Sequence, residues 1–176
     1  MIAMAKIVHH NYPNHKIVFL SPCYAKKEES KLVKFINSVI TFKEMKEVIN
    51  KELKTIPNKK LSFDKFYNEY TKIYPVGGGL AQTMKAKNIF KKSEIISCEN
   101  CINLKELIEK NKNKKLFDLL FCKGGCIGGP AILSKESTLI KKNKIINYRD
   151  YSSQEVMGKK RGLDKYLKGI NFERTF

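Results

Sequence analysis

Five cysteines occur in this 176-residue chain, and four of them form two close pairs. Two residues separate Cys98 from Cys101, three separate Cys122 from Cys126, and Cys23 stands alone. An odd number of cysteines without secretory features argues against a disulfide scaffold. Thiols that cluster in an intracellular chain indicate metal ligands or redox chemistry.

The second pair lies in a glycine-rich segment, Phe121-Cys-Lys-Gly-Gly-Cys-Ile-Gly-Gly-Pro130. Glycine lets the backbone pass close to a bulky metal cluster and adopt positive φ. Successive N–H groups of such a turn can also donate to an anionic cluster. The pattern favours a metal or iron–sulfur site, and the simpler alternative is two buried thiols beside a tight turn.

A second motif is Ser21-Pro-Cys-Tyr-Ala-Lys-Lys-Glu-Glu29, which follows a predicted strand. Nearby positive charge lowers the pKa of a thiol and favours the thiolate that binds iron. Lys26 can also donate a hydrogen bond to an anionic ligand on the metal. In a lysine-rich chain this motif by itself is weak evidence, because lysines occur in nearly every segment.

A zinc site is the main alternative. Together the two cysteine pairs give the spacing C-x2-C-x20-C-x3-C, which is close to that of zinc ribbons. It predicts a zinc-bearing module that uses Cys98, Cys101, Cys122 and Cys126 and binds nucleic acid or an acidic protein through its basic surface. This reading leaves the Cys23 motif unexplained. Cys98 and Cys101 can also simply be buried.

Together, the segments 21–29 and 120–129 resemble the second and third signature motifs of the iron-only (FeFe) hydrogenases. Those motifs are close to M-P-C-x-x-K-K-x-E and M-A-C-x-G-G-C-x-x-G-G. Residues 41–45 and 74–80 resemble the segments that connect them in the family. The resemblance extends over residues 1–133.

The resemblance implies a cofactor and a role for each matching residue. Cys23 and Cys122 would ligate the 4Fe–4S part of the H-cluster, and Cys126 would bridge it to the diiron subsite. Lys26 would hydrogen-bond a cyanide of that subsite, and Glu29 would hold the surrounding structure or a charge partner. The family's reaction is the reversible reduction of protons to dihydrogen, with ferredoxin or a fused iron–sulfur domain as electron partner.

Two departures from the family pattern qualify this expectation. The first family motif, T-S-C-C-P, supplies a further cluster ligand and a proton-relay cysteine, and it does not occur in the 176 residues. We therefore expect a fragment or one piece of a split protein, inactive alone and partnered by a polypeptide that carries the missing N-terminal lobe. Leu120-Phe121 replaces the family's Met-Ala, as in divergent, sensory branches.

The charge of the chain points to its surface rather than to nucleic acid. There are 35 basic and 17 acidic residues, a net charge of +18, but only three of the basic residues are arginine. Because arginine is the preferred bidentate reader of phosphate and guanine, we expect a solvated lysine-rich surface or an acidic partner such as ferredoxin.

No apolar run approaches the ~20 residues of a membrane span, and no signal peptide is recognisable. These features predict a cytoplasmic protein.

Alternating strands and helices must position these residues. The apolar patterns predict strands at 16–20, 36–42, 94–98 and 116–121, and helices at 1–10, 42–53, 80–86 and 100–111, with another starting near Lys26. Thr41 and Glu44 form a capping-box pattern. A helix is predicted to start at Pro130 and another to run from about Ser152 to Leu167.

This alternation predicts an α/β fold with a mainly parallel sheet flanked by helices, part of the two-lobed hydrogenase catalytic domain. Ligands of such sheets bind beyond the carboxyl ends of the strands, where Cys23 and Cys122 occur. We expect residues 1–133 to form the hydrogenase-like domain without its first cysteine motif. Residues 134–176 are expected to be a C-terminal helical extension of it.

Overall fold

The computed structural model of the chain describes residues 1–52, 72–86, 88–156 and 164–173. The chain divides into two compact units. Unit 1 comprises Met1–Tyr67, Pro130–Leu133 and Arg161–Phe176, and unit 2 comprises Asn68–Gly129 and Ser134–Lys160.

Unit 1 contains one pair of parallel strands. Strand β1 (Val18–Ser21) lies beside β2 (Ser38–Thr41), with Val18 opposite Ser38. Its helices are α1 (Ile2–Asn11), α2 (Ala25–Ser30), α3 (Phe42–Glu52) and α7 (Asp164–Leu167). The buried core consists of Ala5, Ile17, Ile36 and Val39. The strands and helices predicted from residues 1–52 are confirmed, with ends that differ by a few residues.

The start of α3 is held by a capping box. Glu44 Oε2 accepts hydrogen bonds from the Thr41 backbone N–H at 2.8 Å and from Thr41 Oγ1 at 2.9 Å. In return, the Glu44 N–H donates to Thr41 Oγ1 at 3.3 Å. Lys27 of α2 forms an ion pair with the same carboxylate. The predicted cap is therefore confirmed, and it also ties α2 to α3.

These contacts predict a pH-dependent contribution to stability. The hydrogen bonds from Lys27 and Thr41 lower the pKa of Glu44 from 4.5 to about 2. Because the folded pKa lies below the unfolded one, this contribution is complete above about pH 4.5 and is lost as the pH falls toward 2. We expect Glu44→Gln to lose less stability than the wild type between about pH 5 and pH 2, measured by urea unfolding. The matched variant Glu47→Gln, at an exposed position of α3, should lose as much stability as the wild type over this pH range. If Glu44→Gln also lost as much stability as the wild type, the proposed contribution of Glu44 would be contradicted.

Unit 2 contains the second pair of parallel strands. Strand β3 (Ile95–Glu99) lies beside β4 (Leu116–Leu120), with Ile95 opposite Leu116 and Glu99 opposite Leu120. Its helices are α4 (Gly79–Ala86), α5 (Leu104–Lys110) and α6 (Thr138–Val156). Ile73, Val76 and Ile127 form its core, against which Ile145 of α6 packs.

A buried aspartate links this sheet to a helix. Asp118 of β4 is 4% exposed and accepts a hydrogen bond at 3.0 Å from the backbone N–H of Ala81, in the first turn of α4. The first N–H groups of a helix have no partner within the helix, so the carboxylate satisfies one of them. This bond sets α4 against the sheet.

The helix predicted to start at Pro130 is wrong. Residues 132–137 form no helix. Ala131 is fully buried, and its N–H donates to the Pro22 carbonyl at 3.1 Å. This tertiary hydrogen bond ties the chain after Pro130 to the residue that follows β1.

The helix predicted from Ser152 to Leu167 is also wrong in its bounds. Helix α6 begins fourteen residues earlier, at Thr138, and extends to Val156. A separate helix, α7, covers Asp164–Leu167, and residues 157–163 lie outside the described residues. The Ile140 N–H donates to Ser137 Oγ at 3.4 Å, so Ser137 caps the true start.

The predicted α/β class is confirmed. The strands β1–β2 and β3–β4 form two parallel pairs in the part of the chain that the structure describes, rather than one continuous sheet. None of the helices in that part combines the length and apolar character that crossing a bilayer requires.

Candidate functional site

Cys23 lies directly beyond the carboxyl end of β1. The fully buried Ser21 holds its backbone: the Cys23 N–H donates to Ser21 Oγ at 3.2 Å, and that hydroxyl lies 2.8 Å from the Cys23 carbonyl oxygen. The Cys23 thiol is free and partly buried, with its Sγ 4.0 Å from Ser21 Oγ. A thiol at this end of a parallel strand is placed where α/β folds bind ligands.

Lys26 and Glu29 form an ion pair on α2, one turn after Cys23. Partial burial acts to raise the pKa of Glu29, but Lys26, the N-terminal amine and the Ile2 N–H outweigh it and lower the pKa below 4.5. An ammonium group has three donors, so this pairing leaves Lys26 able to donate elsewhere. Its hydrogen bond to a cyanide stays a prediction.

Cys122 and Cys126 lie in the loop after β4; neither is part of a disulfide, and both are partly buried. Gly124 and Gly125 between them have φ of 81°, a conformation that glycine adopts without strain. The Gly125 N–H donates to the Cys122 carbonyl at 3.0 Å, and the Gly129 N–H donates to the Cys126 carbonyl at 3.0 Å. We call residues 122–129 the cysteine loop.

The cysteine loop packs so tightly that a side chain has no room at Gly125. A Cβ there would lie 2.6 Å from the Pro75 carbonyl oxygen and 2.8 Å from the Gly77 nitrogen. Val76 and Gly125 also form an isolated antiparallel bridge. The glycines of the motif therefore bring the loop against the turn before α4.

Cys98 and Cys101 are joined by a disulfide at the carboxyl end of β3. Thiolates, not a disulfide, ligate zinc. Within residues 1–52, 72–86, 88–156 and 164–173, no three His, Cys, Asp or Glu side chains form a metal-binding group. In this part of the chain, nothing supports the four-cysteine zinc site, and nothing supports Cys98 and Cys101 as additional ligands of an iron–sulfur cluster.

The helix predicted from Asn100 to Asn111 starts later than expected. Asn100 has a φ of 56°, and its N–H donates to the Leu120 carbonyl at 3.0 Å. Helix α5 therefore starts at Leu104, with Asn103 as its N-cap, and not at Asn100.

Glu99 is a polar residue of this site that the motifs did not indicate. Its carboxylate accepts a hydrogen bond from the Gly124 N–H of the cysteine loop. A Cβ at Gly77 would lie 2.6 Å from Glu99 Oε1, so glycine at that position makes room for the carboxylate. The one available signal was its position directly after the predicted strand 94–98.

A cavity of about 550 Å³ lies beside the cysteine loop in unit 2. Its lining includes Glu99, Lys123 and Lys142. The cavity therefore offers one carboxylate and two ammonium groups next to the cysteine loop.

The cysteine loop fits thiolate ligation of iron. It supplies two cysteines outside any disulfide on one turn, and glycines at positive φ let the backbone approach a bulky group. Cys23, in unit 1, is also outside any disulfide. The role of the three cysteines as ligands stays a prediction, and the sequence did not indicate the disulfide or the contact of Glu99.

Comparison with known families gives one match. Residues 1–130 match the family described as iron only hydrogenase large subunit, C-terminal domain. The match covers well over half of the chain and includes both motifs with free cysteines. A comparison with curated proteins gave no match.

Proposed function

Because this chain belongs to the family formed by the C-terminal domain of the iron-only hydrogenase large subunit, we propose that it binds an iron–sulfur cluster through Cys23, Cys122 and Cys126. The observation that carries the proposal is the cysteine loop, where two cysteines outside any disulfide flank two glycines at positive φ. Thiolates are the ligands that iron–sulfur clusters use.

The chain's residues have distinct proposed roles. Cys23 and Cys122 would ligate a 4Fe–4S cluster, and Cys126 would bridge it to a diiron subsite. Lys26 would donate a hydrogen bond to a cyanide of that subsite, and Glu29 would orient Lys26 through their ion pair. When bound, such a cofactor supplies electron transfer and, with its diiron part, the reduction of protons.

We propose that the chain needs a partner to complete this site. Four ligands are usual for a cubane, whereas only three of the five cysteines are outside the disulfide that the other two form. Val18 and Leu20 of β1 are 54% and 43% exposed, and Phe121 is 88% exposed. A polypeptide with the missing T-S-C-C-P segment would cover such apolar surface and supply the remaining ligand.

An electron partner also follows from this proposal. A ferredoxin or a fused iron–sulfur domain would deliver electrons, and the net charge of +18 favours an acidic surface on that partner.

Residues 134–176 would belong to the same domain, since Ile145 of α6 packs on the core of unit 2. Free thiols that bind iron are expected in a reducing cytoplasm.

The decisive test is anaerobic reconstitution of the full chain with iron, zinc and sulfide, followed by metal analysis and EPR. We expect iron and acid-labile sulfide to remain bound after desalting, with an EPR signal after reduction and without hydrogen production by the chain alone. Retention of stoichiometric zinc without iron would overturn the proposal. Hydrogen production by the isolated chain would overturn the need for a partner.

A further inference from the structure

We propose that Cys98 and Cys101 form a redox-active disulfide that exchanges with a dithiol. The site lies in unit 2, outside the set of proposed iron ligands, and does not depend on iron binding. Stable disulfides are rare in reducing compartments, where those that occur are mostly catalytic or redox-sensing.

The position of the pair in the fold supports this inference. Cys98 is the next-to-last residue of β3, Cys101 follows the strand, and α5 then leads to the parallel strand β4. A C-x-x-C at the strand-to-helix turn of a βαβ unit is the arrangement that thiol–disulfide oxidoreductases use. Here the two sulfurs are bonded to each other.

The two sulfurs differ in access. Cys101 is 9% exposed, whereas Cys98 is partly exposed. An incoming thiolate therefore reaches Cys98 Sγ before Cys101 Sγ.

The exchange proceeds in two balanced steps. A thiolate of the dithiol attacks Cys98 Sγ, the disulfide breaks, and Cys101 leaves as a thiolate. The second sulfur of the dithiol, as a thiolate, then attacks the dithiol sulfur that is bonded to Cys98. A disulfide forms within the dithiol, and Cys98 leaves as a thiolate. The two protons lost by the dithiol go to Cys98 and Cys101, and two electrons pass to them as the dithiol becomes a disulfide.

The residues between the cysteines favour re-formation of the disulfide after it has been reduced. Glu99 accepts a hydrogen bond from the Gly124 N–H, and the Asn100 N–H donates to the Leu120 carbonyl. These bonds do not involve sulfur, so they hold the turn after reduction and keep the two thiols close. Reoxidation is then an intramolecular reaction of two thiols at high effective concentration.

The test uses the full metal-free chain, so its outcome is independent of iron binding. The chain is equilibrated anaerobically with reduced and oxidised dithiothreitol at a series of ratios, quenched with acid and alkylated. Mass spectrometry then follows the tryptic peptide 93–105, which contains both cysteines. We expect the peptide to pass from disulfide to doubly alkylated as the ratio rises. Alkylation of both thiols in the fully oxidised buffer would overturn the proposal, and so would a disulfide that persists in the fully reduced native chain.

A matched pair of variants tests which sulfur is attacked. In Cys101→Ser the accessible Cys98 remains, and in Cys98→Ser the buried Cys101 remains. We expect Cys101→Ser to form a mixed disulfide with oxidised glutathione several-fold faster. The reverse order would overturn the assignment of Cys98 as the attacked sulfur.

Discussion

Conversion of both Cys122 and Cys126 to serine is expected to reduce the iron retained by the reconstituted chain to background. Neither cysteine is part of a disulfide and both lie on one glycine turn, so the double variant removes two proposed ligands from the same loop. A serine hydroxyl keeps its proton at neutral pH and is a poor substitute for a thiolate. Iron and acid-labile sulfide per chain, measured after desalting, report the result.

The matched control is Cys98→Ser/Cys101→Ser. It also removes two cysteines from unit 2, but these form the disulfide, so iron should stay at the wild-type level. If iron were retained in the Cys122/Cys126 variant and lost in the control, Cys98 and Cys101 would be the iron ligands instead.

The single variant Cys23→Ser addresses the ligand from unit 1. We expect it to lower retained iron, because it removes one of three proposed thiolates. A wild-type iron content in Cys23→Ser would exclude that residue from the ligand set and leave the cysteine loop as the binding element.

Replacing Gly125 by alanine is expected to cause a large loss of stability in unit 2. Its φ of 81° by itself costs an L-residue about 1–2 kcal/mol. The new Cβ would also lie 2.6 Å from the Pro75 carbonyl oxygen, which is backbone and can move aside only with its whole turn. We therefore expect a total loss of about 3 kcal/mol or more, measured by urea unfolding followed by circular dichroism.

Gly78→Ala separates the two causes. Gly78 also has a positive φ, 74°, but the nearest atom to its added Cβ is Ser97 Oγ at 3.8 Å. It should therefore show only the backbone cost of about 1–2 kcal/mol. Equal losses in the two variants would mean that the cysteine loop does not pack against Pro75 as described.

If the cysteine loop holds iron as proposed, Gly125→Ala should also lower iron retention, whereas Gly78→Ala should not. This difference would connect the packing of the loop to its chemistry. Reconstitution of both variants, corrected for the folded fraction, provides the measurement.

Local sequence determined much of this protein. The capping pattern of Thr41 and Glu44 was readable because its partners are three residues apart. The strands were readable from short apolar runs, and the family from the types and spacing of cysteine, glycine and lysine in two short motifs. These signals need no knowledge of which distant segments meet.

Tertiary structure decided the rest, because most of the remaining features join residues far apart in the chain. The non-helical path after Pro130 depends on the hydrogen bond from Ala131 to Pro22. The bond between Glu99 and Gly124 depends on the register of β3 against β4. The spacing of Cys98 and Cys101 was equally suited to a ligand pair and to a disulfide, and only the turn at the end of β3 brought their sulfurs together.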